Sequence, residues 1–471
     1  MTKRGATKTA QPPRARPDDA APNAAPKAAT TAAPRGLLLE ENHDLPLCRI
    51  QVVTRVGAAT DIVERGKHPA TSDRGHTGLC NFATELMRRG AGGKSRADLD
   101  EAIDALGASL QVLCWHDLVL FKVTALKDNI DAACRLLADV LLRPDFTEDE
   151  AERLRRELVA SLDDLRDDDG SLMHRFFDRA MYGDHPYGRP VGGTRDSIES
   201  YTIAQARAWH RHYIVDGNLL FGASGDLTAD EANRLVERHF GAELSHGPRR
   251  EMPIAGLSPR RGRHVLIVDK PERTQSQILI GQPGPRWGEP DWLPLRVSTT
   301  AFGGTFTARL MNEVRSKRGL SYGASARLGN GRGERALYAH VFPSAEQTPE
   351  TIELVLRLYE EWAKEGLRPG ELDFAKSYMQ KGHAFSVQTA EDRLMLRTNL
   401  LLCDLPEENM RTFPARVGAV DEAAVKRAMQ RLTPDGLLIT LVATAKTLEP
   451  ALRALPALKD ATFEVVPYDS F

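Results

Sequence analysis

Arg318 and Tyr322 are two side chains with hydrogen-bond donors that lie close together in the sequence. A guanidinium and a phenol are fixed hydrogen-bond donors, so together they can polarise a peptide carbonyl as it becomes an oxyanion, without any proton transfer. The alternative is structural: an arginine at the end of a helix and a tyrosine that opens a strand and packs there. Taken alone, the two residues favour the structural interpretation.

A second candidate is the pair of carboxylates Glu150 and Glu157, on a helix predicted over residues 147–167. Their spacing places them two turns apart on one helix face, where a metal ion could use them. Acidic residues on a charged helix more often form a solvated face. Because no histidine motif accompanies them, we expect a solvated face and no metal bound by this chain.

Three other patterns favour structural roles. The GxGxG string at residues 329–333 lies between two strand-like runs, where its Asn-Gly step indicates a hairpin turn and no helix follows to bind phosphate. His210 and His212 occupy alternate positions and do not share a helix face. The five cysteines have no CxxC spacing, which favours buried thiols over a disulfide framework or a cysteine zinc site; they are Cys48, Cys80, Cys114, Cys134 and Cys403.

Length and composition constrain the elements that hold these residues. A chain of 471 residues exceeds one hydrophobic core, while 41% hydrophobic and 27% charged residues are typical of globular proteins. The net charge of -2 gives no electrostatic case for nucleic acid or an anionic membrane as partner. No apolar run reaches the ~18 residues of a membrane span and no secretory signal is evident, so the expected location is the cytoplasm.

Hydrophobic patterning predicts an α+β protein built by duplication. Strand-like runs cover 45–56, 110–125 and 219–224, and helical patterns cover 79–88, 96–106, 127–142, 147–167 and 203–213. The string Leu-Arg-Pro at 142–144 recurs at 367–369, and the apolar run at 219–227 is echoed at 437–443. We therefore predict a disordered Ala/Pro-rich tail (1–36), a first domain (37–245), a linker (246–262) and a similar second domain (263–471).

The segment 78–90, GLCNFATELMRRG, resembles the helix that carries HxxEH in the insulinase/pitrilysin family of zinc peptidases. In that motif two histidines one turn apart bind Zn²⁺ and the glutamate acts as general base. Here Asn81 and Glu85 occupy the histidine positions and Thr84 occupies the base position. Asparagine is a poor zinc ligand, threonine cannot take a proton from water at neutral pH, and one carboxylate cannot form a three-ligand site. By the same resemblance Glu157 stands at the third ligand position.

The segments 302–310, FGGTFTARL, and 313–322, EVRSKRGLSY, closely resemble the signature of the family's C-terminal domain. The resemblance implies that Arg318 and Tyr322 reach across a chamber to the substrate held at a zinc site in the partner half. It also assigns substrate contacts to Gly303 and Gly304.

The resemblance implies two similar domains, each an antiparallel-rich sheet with helices on one face, that together form half of a clam-shell chamber. In divided members of the family one subunit carries HxxEH and the other carries the Arg/Tyr pair. This implies a non-catalytic, substrate-binding subunit of a heterodimeric zinc metalloendopeptidase, whose homologous partner binds the zinc and which acts on peptides. The rival is a scaffold without proteolysis, as in the core subunits of respiratory complex III. An active homodimer with other zinc ligands is a third alternative, weakened by the absence of clustered histidines in the first half.

Overall fold

The computed structural model describes residues 36–62, 77–252, 254–258 and 260–470. The predicted tail therefore lies outside the described residues, apart from Gly36. Among the residues described, no helix is both long and apolar enough to cross a membrane.

The first half is organised around a five-stranded sheet. The strands described in this half are β1 (Leu38–Glu41), β2 (Leu47–Thr54), β3 (Gly90–Ala91), β4 (Lys94–Ser95), β5 (Ser109–Cys114), β6 (Val119–Leu126) and β7 (Leu219–Gly225). The sheet order is β1-β7-β2-β6-β5, while β3 and β4 form a separate small hairpin. Val52 of β2 pairs with Phe121 on one side and Phe221 on the other, which places large apolar residues at the centre of the sheet.

Eight α-helices accompany this sheet in the described part of the first half. They are α1 (Leu79–Met87), α2 (Arg96–Ala105), α3 (Ile130–Leu142), α4 (Glu148–Leu165), α5 (Asp169–Tyr182), α6 (Arg195–Ser200), α7 (Ile203–Tyr213) and α8 (Ala229–Phe240). Capping boxes begin α2, α6, α7 and α8, where a Ser or Thr side chain and the residue three positions later satisfy each other's backbone N–H groups. The predicted helices and strands of this half are confirmed to within a few residues.

The second half repeats the plan. Its strands are β8 (His264–Asp269), β9 (Gln277–Pro283), β10 (Ser321–Leu328), β11 (Ala336–Pro343), β12 (Leu438–Ala443) and β13 (Thr462–Pro467). Its helices are α9 (Trp292–Gly303), α10 (Arg309–Met311), α11 (Thr348–Glu365), α12 (Glu371–Ser386), α13 (Ala390–Leu402), α14 (Glu408–Gly418), α15 (Glu422–Met429) and α16 (Ala445–Arg453). The hairpin predicted around residues 329–333 is confirmed by the antiparallel pairing of β10 with β11.

The two sheets correspond strand by strand. Read from one edge, the first is β5-β6-β2-β7-β1 and the second is β10-β11-β9-β12-β8, to which β13 is added. In each sheet the final pair, β1 with β7 and β8 with β12, is parallel, and the other corresponding pairs are antiparallel. The duplication inferred from short repeated strings is therefore confirmed by topology.

Each sheet is also covered by a helix from the other half. Helix α5 packs on β9 and β12, while α13 packs on β1 and β7. The side chains of Phe176 and Phe177 on α5 lie in one buried cluster with Leu266, Leu279 and Val442 of the second sheet. On the other side, Arg397 of α13 donates to Glu40 and to the carbonyl of Leu39 on β1. The family resemblance implied helices on one face of each sheet. Helices α5 and α13, each from the other half, cover part of the opposite face.

Candidate functional site

Helix α1 holds the residues that correspond to the zinc motif. Its apolar face, including Phe82, Leu86 and Met87, is buried in the core of the first half. At its beginning, the carboxylate of Asp61 accepts hydrogen bonds from the backbone N–H groups of Gly78 (2.8 Å) and Cys80 (2.9 Å), which satisfies donors that the helix leaves unpaired. The helix is therefore anchored on one side and at its N-terminus.

Thr84, at the position of the general base, is fully buried. Its hydroxyl lies 2.9 Å from the carbonyl oxygen of Cys80 and 3.1 Å from that of Asn81, so it donates back to its own helix. A hydroxyl in this position cannot activate a water molecule. The hydroxyl of Thr84 therefore has a structural role within α1, and the lack of a general base on this helix stays a prediction.

Asn81 and Glu85 lie one turn apart on the less buried side of α1. Burial raises the pKa of Glu85, while the nearby Arg89 and Arg88 oppose the rise. Glu85 therefore belongs to a cluster of charged side chains, in which Arg88 and Arg89 are neighbouring cations.

Arg89, one turn after Glu85, lies where α1 faces the two glutamates of α4. Its Nη1 lies 3.1 Å from Oε1 of Glu157, its Nη2 contacts Oε2, and its Nη1 is also 3.6 Å from Glu150. Arg96 adds a contact of 3.3 Å to Glu157. The hydrogen bond from Arg89, supported by Arg96, lowers the pKa of Glu157 to about 2.

The interpretation of these glutamates as a solvated face is wrong for Glu150, which is buried and ion-paired with Arg153 at 2.7 Å. The side chain of Glu157 is 51% exposed. Both share the guanidinium of Arg89, whose side chain is only 8% exposed. Arginines of the same chain therefore supply positive charge beside these carboxylates. A catalytic zinc needs deprotonated histidine, cysteine or carboxylate ligands that are free to bind it, so this set of residues does not fit a catalytic zinc.

The second candidate region begins at the end of α9. A Cβ atom on Gly303 would lie 2.6 Å from both the backbone nitrogen and the Cβ of Ala326, so glycine permits the close contact between α9 and β10. Gly304 follows in the exposed turn that leads to Phe306. Gly303 therefore has a packing role in the described structure, while Gly304 borders an accessible surface.

Arg318 is held by Glu313. Its Nη1 donates to the carboxylate (2.6 Å) and to the backbone carbonyl (2.9 Å) of that residue. Lys317 lies 2.8 Å from the other carboxylate oxygen. Burial alone would raise the pKa of Glu313. The cations Lys317 and Arg318 outweigh burial and lower this pKa to about 2.

Tyr322 is 78% exposed at the start of β10, and the guanidinium next to it is that of Arg315. The Cζ of Arg315 lies 4.7 Å from the centroid of the Tyr322 ring and 4.9 Å from that of Phe306, which is 64% exposed. These distances are in the range of cation–π contacts. Phe306, Arg315 and Tyr322 are named here the aromatic–arginine cluster.

Two members of this cluster, Phe306 and Arg315, were not singled out by the sequence. The cluster draws on a loop, a π-helical turn at Asn312–Ser316 and a strand, so no regular spacing relates its members. A π-helical turn rotates the following side chains relative to an α-helix, and a periodic pattern does not show it. Phe306, an aromatic residue that closely follows two glycines, was the signal in the sequence that could have indicated this cluster.

The cluster can act as a set of hydrogen-bond donors at the surface. Within the described ranges, no carboxylate lies within 4 Å of the Arg315 guanidinium, and its recorded contacts are the two rings. Stacking on two rings restricts the guanidinium while leaving its N–H edge available. Together with the phenol of Tyr322, it can hold a peptide carbonyl.

Comparison with known proteins shows the family of this chain. Residues 63–195 match the family Insulinase (Peptidase family M16), and residues 200–379 match the Peptidase M16 inactive domain. An uncharacterised zinc protease of Mycobacterium tuberculosis strain H37Rv is 30% identical over 329 residues, which covers 68% of this chain and 74% of that protein. A protein of Helicobacter pylori called non-peptidase homolog YmxG is 22% identical over 371 residues, covering 79% and 82%.

Solved structures share the fold. A peptidase M16 inactive domain from Pseudomonas fluorescens superposes with a TM-score of 0.76 at 24% identity, covering 86% of this chain and 94% of that one. A chain of the Candida albicans Complex III2 structure superposes with a TM-score of 0.70 at 14% identity, covering 92% and 99%. The two matched segments, the relative at 30% identity and the duplicated fold lead to one conclusion: this chain belongs to the insulinase family, peptidase family M16.

Proposed function

We propose that this chain is the substrate-binding, non-catalytic subunit of a heterodimeric zinc metalloendopeptidase. Its partner would be a homologous chain with an intact HxxEH motif, and its substrate a peptide or an extended segment. The two domains, 37–245 and 263–471 joined by the linker 246–262, would form half of the chamber that encloses the substrate.

The observation that carries the proposal is the contrast between the two candidate regions. On α1 and α4, Arg89 is bound to Glu157 and the hydroxyl of Thr84 is bound to its own helix. In the second half, Tyr322 is exposed, and the partly buried guanidinium of Arg315 beside it has no carboxylate within 4 Å among the residues described. A protein with donors for a substrate and no catalytic centre of its own needs a partner that supplies the centre.

In such a complex, zinc bound by the partner would activate the attacking water. The residues of this chain would hold the substrate: the hydroxyl of Tyr322 and the guanidinium of Arg315 or Arg318 would donate to the carbonyl oxygen as it gains negative charge. This role requires fixed donors and no proton transfer. Stacking of Arg315 between two rings supplies that fixation, and Gly304 would border the bound peptide.

A scaffold without proteolysis is the rival function. The similarity to a chain of Complex III2, at 14% identity, shows a shared fold and does not select this function. The exposed aromatic–arginine cluster favours a role in substrate binding, because a scaffold does not need unneutralised donors at this surface.

Co-expression with the homologue that carries HxxEH tests the proposal. We expect native mass spectrometry to detect a heterodimer, with an interface above the ~1,000 Å² of specific association. We also expect peptidase activity that chelator abolishes and that neither chain has alone. Monomers or homodimers alone, across a range of concentrations, would contradict the proposed partnership. A stable heterodimer whose HxxEH chain cleaves peptide equally well alone would favour the scaffold.

A further inference from the structure

A cavity of about 250 Å³ lies in the second half between α9, α12 and α14, beside the turn that joins β10 to β11. Its lining combines two aromatic side chains with four polar ones: Trp292, Phe413, Arg296, Asn330, His383 and Ser386. Apolar walls with a few convergent polar groups are typical of sites for small ligands.

Arg296 is the charged group of this cavity. Its Nη1 donates to the carbonyl oxygen of Leu328 at 2.7 Å, and no carboxylate lies within 4 Å of the guanidinium in the described part of the chain. Burial lowers the pKa of Arg296, and the positive charge of Arg327 lowers it further. A partly buried cation near another cation is unfavourable unless an anion joins it.

A neighbouring cavity of about 150 Å³ shares Trp292, His383, Ser386 and Phe413 with the first. It is lined mainly by apolar side chains, among them Leu396 and Leu400 of α13 and Met410 of α14. The charged residues that line the two cavities are arginines, Arg296 in the first and Arg416 in the second, and neither cavity is lined by Asp or Glu. Each cavity therefore has one arginine and no acidic residue in its lining, and Trp292 and Phe413 form apolar walls that the two share.

The walls are held in place by hydrogen bonds that do not involve the cavity. The indole Nε1 of Trp292 donates to the carbonyl of Gly329 at 3.0 Å. The Nε2 of His383 lies 2.8 Å from the carbonyl of Met410, so this nitrogen carries the proton, and Nδ1 lies 3.2 Å from the hydroxyl of Ser386. Fixed walls reduce the entropy that a ligand must lose on binding.

Gly382 keeps the cavity open. It lies inside α12, where glycine is less stable than alanine, and a Cβ atom there would meet nothing within 4 Å. Packing therefore does not require glycine at this position. A larger side chain would instead occupy the cavity, which Gly382 lines.

We propose that these cavities bind a small organic acid, with its carboxylate on Arg296 and its apolar body between Trp292 and Phe413. Arg296 presents guanidinium donors suited to the two oxygens of a carboxylate. The acid can be a free monocarboxylate or the C-terminal residue of a peptide, because both present the same group.

Calorimetric titration of the purified full chain tests this site. The probes are phenylacetate for a free acid and N-acetylphenylalanine for a peptide terminus, each compared with its neutral amide. We expect at least one acid to bind about tenfold or more tightly than its amide, because the charge-assisted hydrogen bond to Arg296 is lost with the carboxylate. Preference for phenylacetate or for N-acetylphenylalanine identifies the source. Binding of neither acid, or equal binding of the amides, overturns the proposal.

Three variants locate the binding. Arg296→Gln is expected to weaken the acid about tenfold or more, while Arg411→Gln, which removes the same charge from the exposed surface of α14 outside both cavities, leaves affinity within about twofold. Gly382→Leu is expected to abolish binding and to keep or raise the melting temperature, since leucine favours the helix and fills open space. It therefore tests the site even if Arg296→Gln does not fold. Unchanged binding in Gly382→Leu, or loss in Arg411→Gln alone, contradicts the assignment.

Discussion

Arg89 donates from both terminal nitrogens to the two carboxylate oxygens of Glu157 and lies 3.6 Å from Glu150. This contact joins α1 to α4 with a positive charge that belongs to the protein. The negative charges of Glu150 and Glu157 are consequently balanced in part by an arginine of the same chain. Several measurable properties depend on this guanidinium.

Removal of the guanidinium in Arg89→Met is expected to lower the free energy of unfolding by about 1–3 kcal/mol. Glu150 is left buried with less positive charge around it, but Glu157 is half exposed and water compensates part of the loss. Urea denaturation at pH 7 measures the change. Arg156→Met on α4 is the control, because Arg156 is exposed and its contact to Glu152 is 3.5 Å, and it should change stability by less than about 0.5 kcal/mol.

The same pair predicts a dependence on pH. The pKa of Glu157 is about 2 in the folded chain, below its ordinary value of 4.5, so its contribution to stability is fully present above about pH 4.5 and is lost as the pH falls toward 2. The stability difference between wild type and Arg89→Met should therefore shrink across this window. Thermal unfolding at a series of pH values measures it, and a difference that stays constant from pH 6 to pH 3 would show that Arg89 does not stabilise ionised Glu157.

Zinc binding can be restored only in part by histidines. We expect Asn81→His/Glu85→His to bind zinc weakly, because Arg89 still occupies the carboxylate of Glu157 that would be the third ligand. Adding Arg89→Ala should raise zinc affinity at least about tenfold, measured by competition with a chromophoric chelator. Adding Arg156→Ala instead should not. Equal affinity in the double and triple variants would place Glu157 outside the restored site.

Local patterns predicted most elements of the fold, and distant contacts explain what they missed. The helical period located α1 at 79–88 against the observed Leu79–Met87, and the Asn-Gly step located the β10–β11 turn. Leu172, Met173, Phe176 and Phe177 also follow a helical period, but no local pattern shows that α5 covers the sheet of the other half. Register and pairing across 100 residues or more depend on the whole chain.

Some residues of the candidate site were singled out from the sequence and others were missed, because contacts between distant residues decide which side chains meet. Tyr322 is exposed at the start of β10, and its contact with a substrate stays a prediction. Which arginine stands beside it depends on the π-helical turn at Asn312–Ser316, which no sequence period marks. The contact of Arg89 with Glu157 joins two helices, and a linear sequence contains both residues without showing that they meet.

The exchange of α5 and α13 predicts that the two halves unfold together. Without α5, the second sheet would expose Leu266, Leu279 and Val442 to water. We expect one cooperative calorimetric transition for the full chain, and a separately expressed 263–471 fragment that does not fold. A fragment extended to begin at residue 166, which restores α5, should regain more structure by circular dichroism. Two well-separated transitions in the full chain would contradict interlocked halves.

The aromatic–arginine cluster predicts how activity divides among its neighbours in the reconstituted heterodimer. Tyr322→Phe keeps the ring on Arg315 and removes the hydroxyl, so the melting temperature should hardly change. Loss of one oxyanion donor elsewhere reduces turnover by about 100- to 1,000-fold, and an exposed donor contributes less. We therefore expect kcat/KM to fall by at least about tenfold. A similar loss is expected for Arg318→Ala and for Arg315→Ala, because water does not replace guanidinium geometry.

Lys317→Ala is the control that separates these arginines. Lys317 shares Glu313 with Arg318, so its removal disturbs the same carboxylate without removing a proposed substrate donor. It should retain kcat/KM within about twofold. If Arg318→Ala behaves like Lys317→Ala while Arg315→Ala loses activity, the arginine that acts with Tyr322 is Arg315, as the 4.7 Å contact with its ring indicates. If all of these variants fold, bind the partner and cleave peptide at the wild-type rate, the cluster has no part in substrate binding, and the scaffold function becomes the better explanation of the exposed surface.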